Sequence, residues 1–209
     1  MKHRWEDLWH RVGAHGSADA VFTDVLLPRY IEPHRHYHTL QHVRECLDEL
    51  DLVLPRPGNT PALELAIWFH DVVYDVKEDQ NEEKSADLAQ QVLGDAAVPS
   101  NLITLVRDHI IATKHVDSPA SIDTQILVDV DLAILGKPAK RFWEYEQQIR
   151  QEYSWVADPV FAAGRTKVLT QLLRSRALIY HTPAFQDRYE LLARRNLVNA
   201  IWELNRGAR

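Results

Sequence analysis

Residues 64–75 read Glu-Leu-Ala-Ile-Trp-Phe-His-Asp-Val-Val-Tyr-Asp, an apolar run leading straight into an adjacent imidazole and carboxylate, His70 and Asp71. Thr60 is a good N-cap with Pro61 at the first helical position, so the stretch predicts a helix over about 61–75. Its near-continuous apolar character from Leu63 to Phe69 says that this helix is buried on most sides. Asp75 then falls one helical turn past Asp71. A buried ionisable group must be paired or bound to a metal. For an isolated His-Asp pair, a core histidine beside a capping aspartate is a sufficient account. The reading therefore turns on whether other ligand-type residues occur at suitable places.

The flanking chain reads as helix in both directions. Upstream, Trp5, Leu8, Trp9 and Val12 form the stripe of a short amphipathic helix over 4–13. Ser17 caps a second helix that ends near Pro28 to Pro33, and Arg35-His36-Tyr37-His38 opens a third, continued by Leu40, Val43, Leu47 and Leu50. Pro55, Pro57, Gly58 and Asn59 mark a loop. Downstream, the charged run 77–84 precedes an amphipathic helix stopped by Gly94, and Ser100 caps the next. After a loop at 115–120, Ser121 starts a helix over 122–135, ended by Gly136 and Pro138. Residues 139–155, 158–180 and 184–205 are three more helical stretches. No segment alternates as a half-buried strand would. The expected fold is all-α: one domain over 1–209, a bundle of about nine or ten helices, with a core at about 35–135 and C-terminal helices at about 139–205 packing on it. Trp143, Tyr145, Tyr153, Trp155 and Trp202 are expected to pack those last helices. Trp202 and Leu204 would otherwise bury a homodimer face.

Composition narrows the partners. The 209 residues are 45% hydrophobic and carry a formal net charge of −6, so no global positive field exists to hold a nucleic-acid polymer. Small anions still fit if a metal or positive groups are local. Cys46 is the only cysteine, which excludes an internal disulfide and a cysteine-rich zinc site and fits a reducing compartment. The N-terminal residues lack a signal peptide's apolar core, and no apolar run approaches the roughly 20 residues of a membrane span. A cytoplasmic protein without membrane association is the expectation.

Further ligand-type residues do occur. His38 and His42 stand at i, i+4, so one helix would project both from one face. Asp129 and Asp131 interrupt the apolar run Ile126 to Leu132, and aspartate inside an apolar helix calls for a reason. A metal supplies one. Two imidazoles and two carboxylates from separate helices make a mixed nitrogen and oxygen site with positions open for water. Asp129, two residues from Asp131, should face roughly the other way and is set aside. His109 and His115 flank the end of a further helix, where a helix-end histidine favoured by the dipole is the competing account.

His42, then His70-Asp71, then Asp131, all in helical context, resembles the pattern of the HD-domain metal-dependent phosphohydrolases. Tyr37-His38-Thr39-Leu40-Gln41-His42-Val43 resembles the Tyr-His-Asn-x-x-His-Ala segment of cyclic-nucleotide phosphodiesterases, which share that helical core. The similarity covers roughly residues 35–135. Phe69 to Asp75, Asn81 to Ala86 and Ala112 to His115 look like a smaller group of bacterial HD proteins. The resemblance implies a compact helical HD fold and hydrolysis of a phosphate ester or anhydride of a nucleotide or other small phosphorylated metabolite. It makes His42, His70, Asp71 and Asp131 the metal ligands and His38 the general acid, a role that suits an ordinary imidazole. One or two divalent ions (Mn, Mg, Zn, Fe, Co or Ni) are implied, with Asp71 bridging if two bind. His109 and His115 would serve a second metal, and Asp75, Glu82 and Glu83 would orient ligands or water. Arg35 and Lys114 are candidate phosphate contacts, or simply solvated cations.

Departures from the family pattern bear on substrate. No counterpart of the phosphodiesterases' purine-gripping glutamine can be placed, so cyclic nucleotides are not implied. Tyr74-Asp75 stands where alarmone hydrolases carry Glu-Asp, half a match. Two other classes share the core: di-iron oxygenase-type HD proteins, which use the extra histidines, and non-catalytic modules that sense a nucleotide.

Overall fold

The apolar run from Leu63 to Phe69 forms a buried helix, as expected. In the computed structural model, which describes residues 1–53, 60–115, 119–174 and 177–207, every residue from Ala62 to Phe69 is buried. The described residues form ten helical stretches and no strand, an all-α bundle. They are α1 (Lys2–Arg11), α2 (residues 18–30), α3 (Leu40–Val53), α4 (Thr60–Phe69) and α5 (Asn81–Asp95). The others are α6 (Ser100–Ala112), α7 (Ile122–Leu132, continued by a 3-10 turn, Ala133–Gly136), α8 (Ala139–Glu152), α9 (Asp158–Arg174) and α10 (Pro183–Gly207). The chain divides into two compact units, Met1–Val130 and Asp131–Arg209, and the division falls inside α7. The loop expected at 55–59, and the centre of that at 115–120, lie outside the described residues.

In the first unit α4 packs against α1, α3, α5 and α6. Its aromatic end is held by a ring cluster: Trp5 lies 5.6 Å edge-on from Trp68 and 6.0 Å from Phe69, and Phe22 lies 6.2 Å from Trp68. Two polar groups of this cluster are paired, whereas the buried Trp68 indole N–H has no hydrogen-bond partner. The Trp5 indole N–H donates to the Ala18 carbonyl at 2.9 Å, and the Tyr30 hydroxyl donates to the Trp68 carbonyl at 2.8 Å, satisfying an acceptor that the end of α4 leaves open. Glu64 is buried and paired with Arg11 at 2.5 Å.

Several helix limits differ from the expected ones. Ser17 caps α2 as predicted, its hydroxyl accepting from the Ala20 N–H. The helix widens to a π turn over Val21–Leu26 before passing through Pro28. Proline lacks the N–H for the normal bond and crowds the carbonyl four residues back, so a shifted register accommodates it. Ser100 begins α6 rather than capping it. α3 starts at Leu40, not Arg35, and α4 stops at Phe69, not Asp75. Both shortened ends lie at the candidate site.

In the second unit α10 packs on α9 and on the 3-10 turn. Asn196 from α10 donates to the Leu135 and Lys137 carbonyls at 2.8 Å and 2.9 Å, closing the turn that ends α7. Gly136 is packed so tightly that an added Cβ would meet the Tyr189 Cβ at 2.5 Å. Glu146, Arg165 and Tyr145 form a buried ion-pair network. Tyr145 packs inside as expected, whereas Trp155 and Trp202 are more than half exposed. Exposure of Trp202 follows from its place on the outer face of α10, where Arg206 sits over its ring at 4.4 Å.

Candidate metal centre

Successive residues of an α-helix point about 100° apart, so two neighbours cannot both face one point from its interior. His70 and Asp71 escape that limit because α4 ends at Phe69. His70 keeps a last helical bond, its N–H donating to the Ala66 carbonyl at 2.8 Å, and the chain then turns. In this turn the Asp71 Oδ2 atom lies 3.0 Å from the His70 Nε2 atom. His70 is fixed from behind: its Nδ1 lies 3.0 Å from the Ile67 carbonyl. A carbonyl only accepts, so Nδ1 carries the proton and Nε2 offers its lone pair to the cluster.

His42 arrives from α3, buried, with its Nε2 atom 3.0 Å from that of His70 and 3.4 Å from Asp71 Oδ2. Cys46, one turn on, places its sulfur 3.7 Å from the His42 ring nitrogens. Asp131, in the last turn of α7, completes a group with His42 and His70 whose ligand atoms lie within 4.8 Å of one another. Cis ligands on bonds of about 2.1 Å stand roughly 3.0 Å apart in an octahedral shell and 3.4 Å in a tetrahedral one, so the spacing of His42, His70 and Asp71 fits a divalent cation. The mixed nitrogen and oxygen set fits too. Burial alone would push the Asp71 carboxyl up, but positive charge on the neighbouring His70 and His38 imidazoles, when they are protonated, holds it well below the ordinary range.

His38 stands in the turn just before α3, not on the helix. Its ring lies 5.9 Å from that of His42 and stacks on Tyr74, centroids 4.0 Å apart and planes 27° from parallel. Arg35 is not a solvated cation. Its side chain is fully buried and donates to the carbonyls of His38 (3.2 Å), Asp71 (2.5 Å) and Val72 (3.1 Å) and to the Glu32 carboxylate (2.8 Å). The guanidinium needed for a phosphate contact is thereby committed to backbone. Lys114 forms an ion pair with Glu83 at 2.5 Å.

The remaining candidates spread out. Glu82 is half-buried in the first turn of α5; burial, and the Asp71 charge, push its carboxyl up. Asp75 is exposed and builds a local turn: its carboxylate accepts from the Lys77 N–H, and Asn81 bonds its backbone. His109 is buried, its Nδ1 3.1 Å from the Thr124 hydroxyl and its Nε2 without a hydrogen-bond partner; burial lowers its pKa against the raising effect of Asp123 and Asp108. His115 follows α6 in a left-handed conformation. Among the described residues neither histidine belongs to the metal-sized group. Asp129, set aside in the sequence, is completely buried. Its signal was the same as that of Asp131, a carboxylate in an apolar helix. Tyr74 and Cys46 had no such signal, because their places follow from turn geometry and an aliphatic-type core position.

Comparison with protein-family models, with curated proteins and with solved structures returns no match. Among the described residues, no helix is long and apolar enough to cross a membrane.

Proposed function

We propose that this chain is an HD-type metal-dependent phosphohydrolase acting on an ester or anhydride of a nucleotide or other small phosphorylated metabolite. The observation that carries the reading is the convergence of His42, His70 and Asp131, from three separate stretches of sequence, to within 4.8 Å, with Asp71 against both imidazoles. The order of these residues is that of the family the sequence resembles.

When bound, a divalent cation supplies Lewis-acid chemistry, polarising a phosphoryl oxygen and activating water near neutral pH. His42 and His70 would hold it, and Asp71 and Asp131 would contribute the negative charge that offsets it. The Ile67 carbonyl keeps His70 in the binding tautomer. His38, at the rim and half-buried, donates a proton to the leaving oxygen. Its stacking on Tyr74 restrains the ring for that transfer.

The test is metal analysis of purified protein followed by a phosphate-release screen on nucleotides and simple esters with Mn, Mg, Zn, Fe, Co and Ni. Metal-dependent release of phosphate is the expected result. Stoichiometric iron with a visible charge-transfer band and no hydrolysis would establish the oxygenase-type chemistry instead. Nucleotide binding without turnover under any metal would make the chain a sensing module.

A further inference from the structure

Arg35 offers one of the most fully committed cations in the chain, and the backbone carbonyls it bonds belong to two segments. One is the turn that carries His38; the other is the turn that carries His70 and Asp71. Nη1 bonds the carbonyls of both His38 and Asp71, and Nη2 adds that of Val72. Nε bonds Glu32, three residues upstream. The guanidinium carbon lies 5.4 Å from the Tyr30 ring and 5.4 Å from the Tyr74 ring. Tyr74 in turn carries the stacked ring of His38. A planar fork of donors flanked by two aromatic faces is a geometry lysine cannot reproduce. Three carbonyl acceptors, in turns where no helix satisfies them, are thus served by one side chain.

We propose that Arg35 is a positioning residue: it locks the His38 turn to the metal-ligand turn and, through Tyr74, sets where the His38 ring stands relative to the ligands. The phosphate-contact role is thereby replaced by a backbone role. The inference rests on the phosphohydrolase reading for its kinetic consequence, though not for its structural one. His70 is oriented by Ile67 and His42 by its helix, so two of the ligands keep their places without the lock, and bound metal reads whether Asp71 does. A displacement of about 1 Å in a proton donor costs on the order of 100-fold in rate.

The test compares wild type with Arg35→Lys, Tyr74→Leu and Tyr74→Phe. The readouts are helical circular dichroism, bound Mn2+, the NMR signals of labelled histidine rings in metal-free protein, and p-nitrophenyl phosphate hydrolysis with Mn2+. In wild type the stacked Tyr74 ring is expected to shift the His38 ring protons upfield. Arg35→Lys is expected to keep its helicity and one-to-one Mn2+ content, lose that upfield shift, and lower kcat about 10- to 100-fold with KM within about threefold. Tyr74→Leu should do the same and Tyr74→Phe should resemble wild type. An unchanged His38 shift and kcat in Arg35→Lys would overturn the proposal. So would loss of Mn2+ in step with activity, which would make Arg35 a support of the ligands alone. If Arg35→Lys does not fold, Tyr74→Leu decides through turnover: a lowered kcat with Mn2+ retained upholds the lock, and a wild-type kcat sinks it. If wild type releases no phosphate with any metal, the function fails while the ring shift still judges the lock.

Discussion

The Nε2 atoms of His42 and His70 lie 3.0 Å apart although 28 positions separate the residues in sequence. Each ring is buried, and a single carboxylate oxygen of Asp71 touches both, at 3.4 Å and 3.0 Å. Two imidazoles brought together in an apolar interior with acidic groups beside them form a ready-made cation site.

Removal of the charged ligand is therefore the most direct test. Asp71→Ala is expected to weaken Mn2+ binding by more than about 100-fold and to abolish phosphate release, because metal affinity depends on a deprotonated, correctly held ligand. Calorimetric titration with Mn2+ measures this. Wild-type affinity in the variant would take Asp71 out of the ligand set.

His38 gives the opposite pattern. His38→Ala should retain the metal and slow turnover by roughly 100- to 10,000-fold, the range for loss of a general acid. Metal content and kcat measured on one preparation separate the two effects. Full activity would end the assignment.

Burial of His109 predicts a pH dependence of stability. Its folded pKa is lowered, so the unfolded state binds the proton more readily, and stability falls as pH drops below the unfolded value of about 6.5. The slope for one proton is at most about 1.4 kcal/mol per pH unit, and the loss levels off once pH lies below the folded pKa. Urea melts of wild type and His109→Asn between pH 7.5 and 5 read the difference as a flatter profile in the variant. Parallel profiles would show that His109 does not contribute.

Gly136 is expected to resist substitution. An added Cβ would sit 2.5 Å from the Tyr189 Cβ and 2.9 Å from two ring carbons, so the turn or α10 must shift. Overpacking of this kind costs about 1–3 kcal/mol. A drop in melting temperature for Gly136→Ala checks it, and an unchanged value would mean the turn yields freely.

Much of this was legible in the chain itself. The apolar run at 62–69, the helix stripes and the turn residues carry the all-α architecture, since periodicity and breakers are local signals. The four ligand-type residues were legible by residue type and spacing. What sequence could not show is where α3 begins and α4 ends. Beside both limits lies Arg35, whose side chain takes backbone carbonyls in the turns where the helical pattern was expected to continue. The same residue was expected at a phosphate because its charge, but not its burial, is visible in sequence. Asp75 fails as a helical neighbour of Asp71 for the same reason: the chain has already turned, and Asn81 holds it outside.

One guanidinium shared by two turns also bears on how the protein breathes. Local opening releases the segment whose bonds are weakest, and segments tied together open as one unit. The chain around 35–38 and that around 70–72 cannot loosen separately without stranding a buried charge. Their amides should exchange with solvent at a common rate, faster than those of α4 behind them, so the proton donor and the ligand pair rise and settle together.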